Sequence, residues 1–182
     1  MFEQGATERT TVELKEGAAL TAAEWAAIIA LCDVAFAEDF SHYFAPFARS
    51  WHVLVRRAGT LVCHACWVER GLQPIGLPIL HTAYIEAVAT HPDWQRRGYG
   101  TLAMRRIAEE IVSYDLGALS PAAEEFYERL GWEHWRGPTA IRTDAGLLPT
   151  PDEEIMILRL LQTPPLDLDA PISAEWREGE VW

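Results

Sequence analysis

The stretch Val88–Thr101, VATHPDWQRRGYGT, joins an apolar run, a proline turn and two glycines at the start of a helical pattern. Glycines at 98 and 100 let the backbone curve so that successive N–H groups point into one concavity, and a helix start adds its positive end. That is chemistry for a diphosphate. Arg96 and Arg97 in the loop and Arg105 and Arg106 beyond it, against Asp93 alone, form a positive island in a chain whose 15 Lys and Arg face 27 Asp and Glu, a net charge of −12. A cofactor with phosphates explains the exception. The bland alternative is a helix N-terminus with glycines for packing and arginines for solubility. The full combination of strand, proline turn, Gln95-Arg96-Arg97-Gly98-x-Gly100 and amphipathic helix is much rarer by chance. Dinucleotide and P-loop readings fail, because the chain has neither Gly-x-Gly-x-x-Gly nor Gly-Lys-Ser/Thr. Cys63-His64-Ala65-Cys66 has the spacing of half a zinc site, but no second Cys or His pair follows at a suitable distance. On a strand residues 63 and 66 face opposite sides, so both read as core cysteines and no metal is expected. No Gly-x-Ser-x-Gly elbow supports a serine hydrolase.

These residues need elements to hold them, and the pattern is mixed α/β. TVELKEG (11–17) reads as a strand, followed by a capping box, Thr21 to Glu24, that starts a helix running to about Ala37. WHVLVRR, a turn at Ala58-Gly59-Thr60, and LVCHACWVER form an expected hairpin, and TAYIEAVAT (82–90) another strand. From Gly98 the spacing becomes helical, with Tyr99, Leu102, Ala103, Ile107 and Ile111 on one face. LGALS (116–120) reads as a buried strand, Pro121–Leu130 as a helix begun by its proline, and EIMILRLL as a late strand. Residues 144–182 hold nine acids against two arginines, a balance of −7 and more than half of the total. The tail from about 162 is proline-rich and acidic but ends in Val181-Trp182, an apolar pair that argues for its folding back.

The phosphate-loop pattern resembles the acetyl-CoA pyrophosphate loop of the GCN5-related N-acetyltransferases, Gln/Arg-x-x-Gly-x-Gly/Ala. AFAEDF (35–40), YIEAVAT, GALS with FYERLGW, HWRGPT, TPDEE and the closing EWREGEVW together look like the aminoglycoside 2′-N-acetyltransferases within that superfamily, from about residue 32 onward. The resemblance implies the GNAT acyl-CoA N-acyltransferase fold, an α+β arrangement with a splayed mixed sheet flanked by helices, over one domain spanning 1–182. It implies an acetyl-CoA-dependent enzyme acting on the 2′-amine of a basic amino sugar, as a homodimer.

Acetyl transfer from a thioester needs a neutral amine, a stabilised oxyanion and a proton for the departing thiolate. Residues two apart on a strand share a face, so Glu86 points with Tyr84 and Val88. A carboxylate among such neighbours is edge-exposed, buried for a purpose, or paired with a core arginine. The resemblance makes it the group that accepts the amine proton, through water. Backbone around Val88, Ala89 and Thr90, with Gln95, Arg96, Arg97, Gly98, Tyr99, Gly100 and Thr101, is expected to hold the cofactor. Tyr127 is the candidate general acid, since a free phenol near 10 is matched to an alkyl thiol. The sugar's ammonium groups are expected at Asp39, Glu86, Asp152, Glu153, Glu180 and the carboxylate of Trp182, with Ala87 and Ser120 beside them.

The chain departs from that family where a second aspartate is expected five residues after Asp39: Phe44 stands there. Ser120 to Tyr127 is also about two residues shorter than in the family, and Glu180 replaces an aspartate. Fewer anionic contacts suit a substrate with fewer ammonium groups, of the kasugamycin type. Another amine, such as a polyamine or a peptide N-terminus, is the runner-up, and a noncatalytic cation binder is the reading from a different class. The acidic balance argues against nucleic acid and anionic membranes. No apolar run reaches the roughly 20 residues of a membrane span. The three cysteines, Cys32, Cys63 and Cys66, suit a reducing cytoplasm.

Overall fold

In chain order the computed structural model contains β1 (Thr10–Glu16), α1 (Ala22–Phe36), β2 (Ser50–Arg57), β3 (Thr60–Pro74), β4 (Leu80–Thr90), α2 (Tyr99–Glu110), β5 (Leu116–Leu119), α3 (Glu124–Glu128), β6 (Glu133–His134), β7 (Thr139–Thr143), β8 (Gly146–Pro149), β9 (Met156–Arg159) and β10 (Ile172–Glu175). Residues 9–47, 49–179 and 181–182 are described. The valine-rich segments expected to form a hairpin do so, with β1, β2, β3 and β4 pairing antiparallel in succession. β5 then joins β4 in parallel through Thr82–Leu116, Ala83–Gly117 and Tyr84–Ala118. Pairing stops at Tyr84 while β4 continues to Thr90, and this divergence opens the sheet. β9 and β6 extend the sheet beyond β5, and β10, β7 and β8 extend it from the far end of β3, giving the order β6-β9-β5-β4-β3-β10-β7-β8 with β1 and β2 on the other part of β3.

Period-two alternation decides which helix each strand residue meets. Val53, Val55, Cys63, Ala65, Trp67 and Ile85 share a core with Tyr99, Ala103, Met104 and Ile107 of α2. The intervening Leu54, Cys66 and Ala89 face Ile28, Leu31 and Cys32 of α1 and the aromatic segment Phe40–Phe44. Thr21 caps α1 as expected: its hydroxyl accepts from the Glu24 N–H, and the Glu24 carboxylate accepts from the Thr21 N–H. On α2 the buried face takes Met104 rather than Leu102, which is 40% exposed.

Two expectations change. The helix read from Pro121 begins only at Glu124, because Ala123 is non-helical (φ −151°) and residues 121–123 line the clefts beside α3. The acidic tail does fold back, and it does so as a strand: β10 lies between β3 and β7, parallel to β7. Its anchor is Arg70, buried on β3, which donates from Nε to Glu175 Oε1, from Nη2 to the Glu175 carbonyl and from Nη1 to the Val181 carbonyl. Trp182 is buried against Tyr84, Ile155 and Ile172 in the third core cluster.

Candidate active site

Where β4 leaves β5, the β3–β4 register shifts: His64 faces Ala89 but Cys66 faces Glu86, so Ala87 and Val88 stand together opposite Ala65. Ala87 takes φ +48°, a left-handed value that bends the strand. Two clefts meet at this bulge, and Val88, Ala122 and Tyr127 line both.

The first cleft runs from the bulge to the start of α2 and is lined by Val88, Thr90, Gln95, Arg96, Gly98, Tyr99, Gly100 and Thr101. Arg96 (φ +58°) and Gly98 (φ +86°) turn the chain so that α2 starts on a curved run of backbone amides, the arrangement that receives a diphosphate. The cradle is one that a side chain would fill, since a Cβ on Gly100 would stand 3.3 Å from the Phe126 ring. Gln95 Nε2 ties the loop to the Thr90 carbonyl at 3.3 Å. The opposite wall is α3, through Phe126, Tyr127 and Arg129, and neither Phe126 nor Arg129 was singled out from the sequence. Arg97 stacks on Trp94 with its guanidinium 4.8 Å from the ring, outside the lining. The Ala89 side chain is buried under α1, because the bulge shifts it to the other face, which leaves its backbone as the part that can face the cofactor cleft.

The second cleft is lined by Phe36, Phe40, Tyr43, Tyr84, Glu86, Ala87, Ser120, Tyr127 and Trp182. Glu86 is buried at its centre. Of the settings open to it, the structure supplies the arginine: Arg177, in the segment after β10, binds Glu86 Oε1, and the Tyr43 hydroxyl donates to Oε2 at 2.7 Å. The Arg177 guanidinium also lies 5.3 Å from the Phe47 ring centre. A carboxylate has about four acceptor sites, so each oxygen keeps acceptor capacity beyond these two bonds. Tyr43 is pushed well above its ordinary range, first by burial and then by the Glu86 charge. The Tyr84 hydroxyl is buried in the same wall without a hydrogen-bond partner among the described residues.

Tyr127 is 6% exposed at the junction. Burial, reinforced by Cys63, pushes its phenol up to about 12, above the matched value expected from the sequence. It therefore keeps its proton through the neutral range, and donation to a thiolate is balanced only insofar as the same burial raises the thiol.

The remaining acids lie apart. Asp39 is exposed and accepts from the Ser41 N–H at 2.8 Å, on a separate rim with Glu38, Phe47 and Glu178. Asp152 and Glu153 stand exposed on the turn between β8 and β9 and do not line the pocket, although the Glu153 charge reaches Tyr84. Glu180 lies outside the described residues. Phe44, at the position of the missing aspartate, is core, with its ring packed edge-on to His64 at 5.9 Å. Arg177, Arg70 and Tyr43 were missed in the sequence; the one signal was Glu86 itself, a carboxylate on an apolar strand that needs a partner.

A strand that parts from its parallel neighbour beside a helix-start cradle is the arrangement of the acyl-CoA N-acyltransferase fold. The family model for the acetyltransferase (GNAT) domain matches residues 18–135, and the chain belongs to that family, whose members use acetyl-CoA. It is 36% identical over 138 residues to an aminoglycoside 2′-N-acetyltransferase of Mycolicibacterium fortuitum, covering 72% of this chain and 70% of that protein. Among solved structures, the GNAT family N-acetyltransferase YhbS of Escherichia coli, in complex with CoA, superposes with a TM-score of 0.65 at 12% identity, covering 97% of this chain and 94% of that one. Eis1 of Mycobacterium abscessus gives 0.60 at 17% identity over 72% of this chain, which spans only 32% of the Eis1 chain. No described helix is long and apolar enough to cross a membrane.

Proposed function

We propose that this acetyltransferase transfers the acetyl group of acetyl-CoA to the 2′-amine of an aminoglycoside, the chain 1–182 working as one unit whose tail walls the acceptor site. The observation that carries the reading is the meeting of the two clefts at Val88 and Tyr127. A donor lying along α2 and an amine entering past Phe40 and Trp182 reach each other there. The curated relative supports the substrate class, because it is 36% identical over 72% of this chain and is named for that reaction. Glu86 takes the amine proton through water on the lone pairs that Arg177 and Tyr43 leave open. Tyr127 supplies the proton that the thiolate needs.

Among the described residues Glu86 is the one acidic side chain that lines the pocket, it is paired with Arg177, and Phe44 is core, which favours a substrate with few ammonium groups, of the kasugamycin type. A homodimer fits the edge strand β8, where Leu147 and Leu148 are exposed beside unpaired backbone. A cytoplasmic setting fits three buried free thiols.

Incubation with acetyl-CoA and kasugamycin, gentamicin, tobramycin, spermidine or a peptide, read by mass spectrometry and thiol release, tests the reading. One added acetyl group on an aminoglycoside is expected, with Tyr127→Phe lowering kcat by about one to three orders of magnitude. Acetylation of spermidine or the peptide alone would replace the substrate class, and binding without thiol release would end the enzymatic reading.

A further inference from the structure

A bulge leaves carbonyl groups that the strand ladder no longer pairs, and a buried one must find another donor. On β4 the donors are side chains from β3: Cys66 Sγ donates to the Glu86 carbonyl at 3.4 Å, and His64 Nδ1 to the Ala87 carbonyl at 3.0 Å. A carbonyl only accepts, so His64 carries its proton on Nδ1 and its Nε2 is an acceptor. That Nε2 faces His52 Nδ1 at 2.9 Å, which must then donate. His52 Nε2, left as an acceptor, takes the hydroxyl proton of Ser50 at 2.9 Å. One carbonyl thus sets the tautomer of both rings and the direction of the whole chain, Ser50 to His52 to His64 to Ala87.

The two imidazoles are fully buried, wedged by Phe44 against His64 and by Trp25 against His52, with ring centres 5.9 and 4.9 Å apart. Burial drives His64 down to about 3 and His52 to about 4, so both are neutral. The same two rings and Cys66 bring possible metal ligands within 4.8 Å of one another, but the ring lone pairs a metal would need are already accepting hydrogen bonds. The Cys-His-Ala-Cys stretch therefore serves the bulge. Alanine disfavours a left-handed φ, and it persists here where surrounding bonds over-determine it.

We propose that His64, oriented by His52, is a positioning residue for acyl transfer: its bond to the Ala87 carbonyl fixes the left-handed turn and with it the direction in which Val88 presents its backbone to the junction of the two clefts. The catalytic part of this inference rests on the acetyl-transfer reading. The bond itself does not.

Nitrogen-15 imidazole spectra of the unaltered protein test the bond directly. Protons on Nδ1 of both His52 and His64 are expected, and an Nε2–H tautomer at His64 overturns the proposal whatever the enzyme acetylates. Kinetics test the consequence. His64→Leu is expected to lower kcat about tenfold or more, as displaced oxyanion donors do, with the acetyl-CoA KM changed less than about threefold. His64→Asn, whose amide N–H reaches the same carbonyl, recovers most of the loss. So does His64→Leu combined with Ala87→Gly, because glycine holds a positive φ unaided. A histidine that only filled space would give the reverse, with leucine tolerated and neither remedy effective, and that result overturns the positioning role. A protein that acetylates no amine yet shows the Nδ1–H tautomers would retire the acetyl-transfer reading while upholding the gripped bulge.

Discussion

The two sides of the cleft are built by opposite means. The cofactor side is nearly one continuous piece of chain, Val88–Thr101, shaped by backbone: two positive φ angles, a helix start and a glycine where a Cβ would crowd Phe126. The acceptor side is assembled from distant segments, Phe36–Tyr43, Tyr84–Ala87, Ser120, Tyr127 and Trp182, and is held by ions: Arg177 on Glu86, and Arg70 on Glu175 and the Val181 carbonyl. Most of the donor cleft is therefore local in sequence, with α3 closing it from the other side, whereas the acceptor cleft also needs the segment after β10 in place.

The sharpest break of this contrast is Arg177→Ala. It strands the Glu86 carboxylate, whose side chain is 5% exposed, on the single hydrogen bond from the Tyr43 hydroxyl. Removing one partner of a buried pair costs about 3–5 kcal/mol, whereas removing both charges costs far less. Urea unfolding should show a loss of about 3 kcal/mol for Arg177→Ala and recovery of most of it in Arg177→Ala with Glu86→Gln, while acetyl-CoA affinity stays within about twofold. A loss below about 1 kcal/mol in the single variant would mean that the ion pair does not hold the acceptor wall.

The same division explains what the sequence made legible. The donor side was readable because its determinants are contiguous: the glycines, the proline turn and the helix period identify the cradle without knowledge of any neighbour. The side chains of Ala89 and Arg97 do not line it, because a single bulge, invisible to a period-two reading, moves one to the other face, and a nearby tryptophan holds the other. On the acceptor side Glu86, Ser120, Tyr127 and Trp182 converge as expected, but Arg177 and Tyr43 depend on contacts 91 and 43 residues away in sequence. Asp39, Asp152 and Glu153 stand outside the lining of the acceptor cleft, and an exposed acid carries no mark in the sequence of where it will stand. β7, β8 and β10 were unread because, unlike the apolar runs of β5 and β9, their short mixed sequences are specified by their partners more than by their own pattern.

A smaller effect should separate the two sides from the other direction. Gly98→Val forces a β-branched residue to φ +86°, and Gly100→Val pushes a side chain toward Phe126. Each is expected to weaken acetyl-CoA binding about tenfold by calorimetry, a change of about 1.4 kcal/mol. Amine affinity should be nearly unaltered, since neither glycine lines the acceptor pocket. Unchanged acetyl-CoA binding in both folded variants would remove the cradle from the cofactor site, and an equal loss for both ligands would show that the two sides are one mechanical unit.

The smallest expected effect lies at Trp182, the one residue of the tail that both lines the acceptor pocket and is buried in the core. Its indole N–H donates to Thr150 Oγ1 at 3.0 Å, and that hydroxyl in turn donates to Thr139 Oγ1 at 2.9 Å, so the tail is latched to β7 through two threonines. Trp182→Phe keeps an aromatic ring in the cluster and deletes the latch; Thr150→Val deletes it from the other side. A net hydrogen bond of this kind contributes about 1 kcal/mol, and two residues sharing it should be non-additive by about that amount. Each single variant is thus expected to raise the KM of the amine about threefold, with the double variant little worse than either and the acetyl-CoA KM unchanged throughout. Fully additive losses in the double variant would show that indole and hydroxyl act independently, and that the acceptor wall is held by Arg70 and Arg177 without the latch.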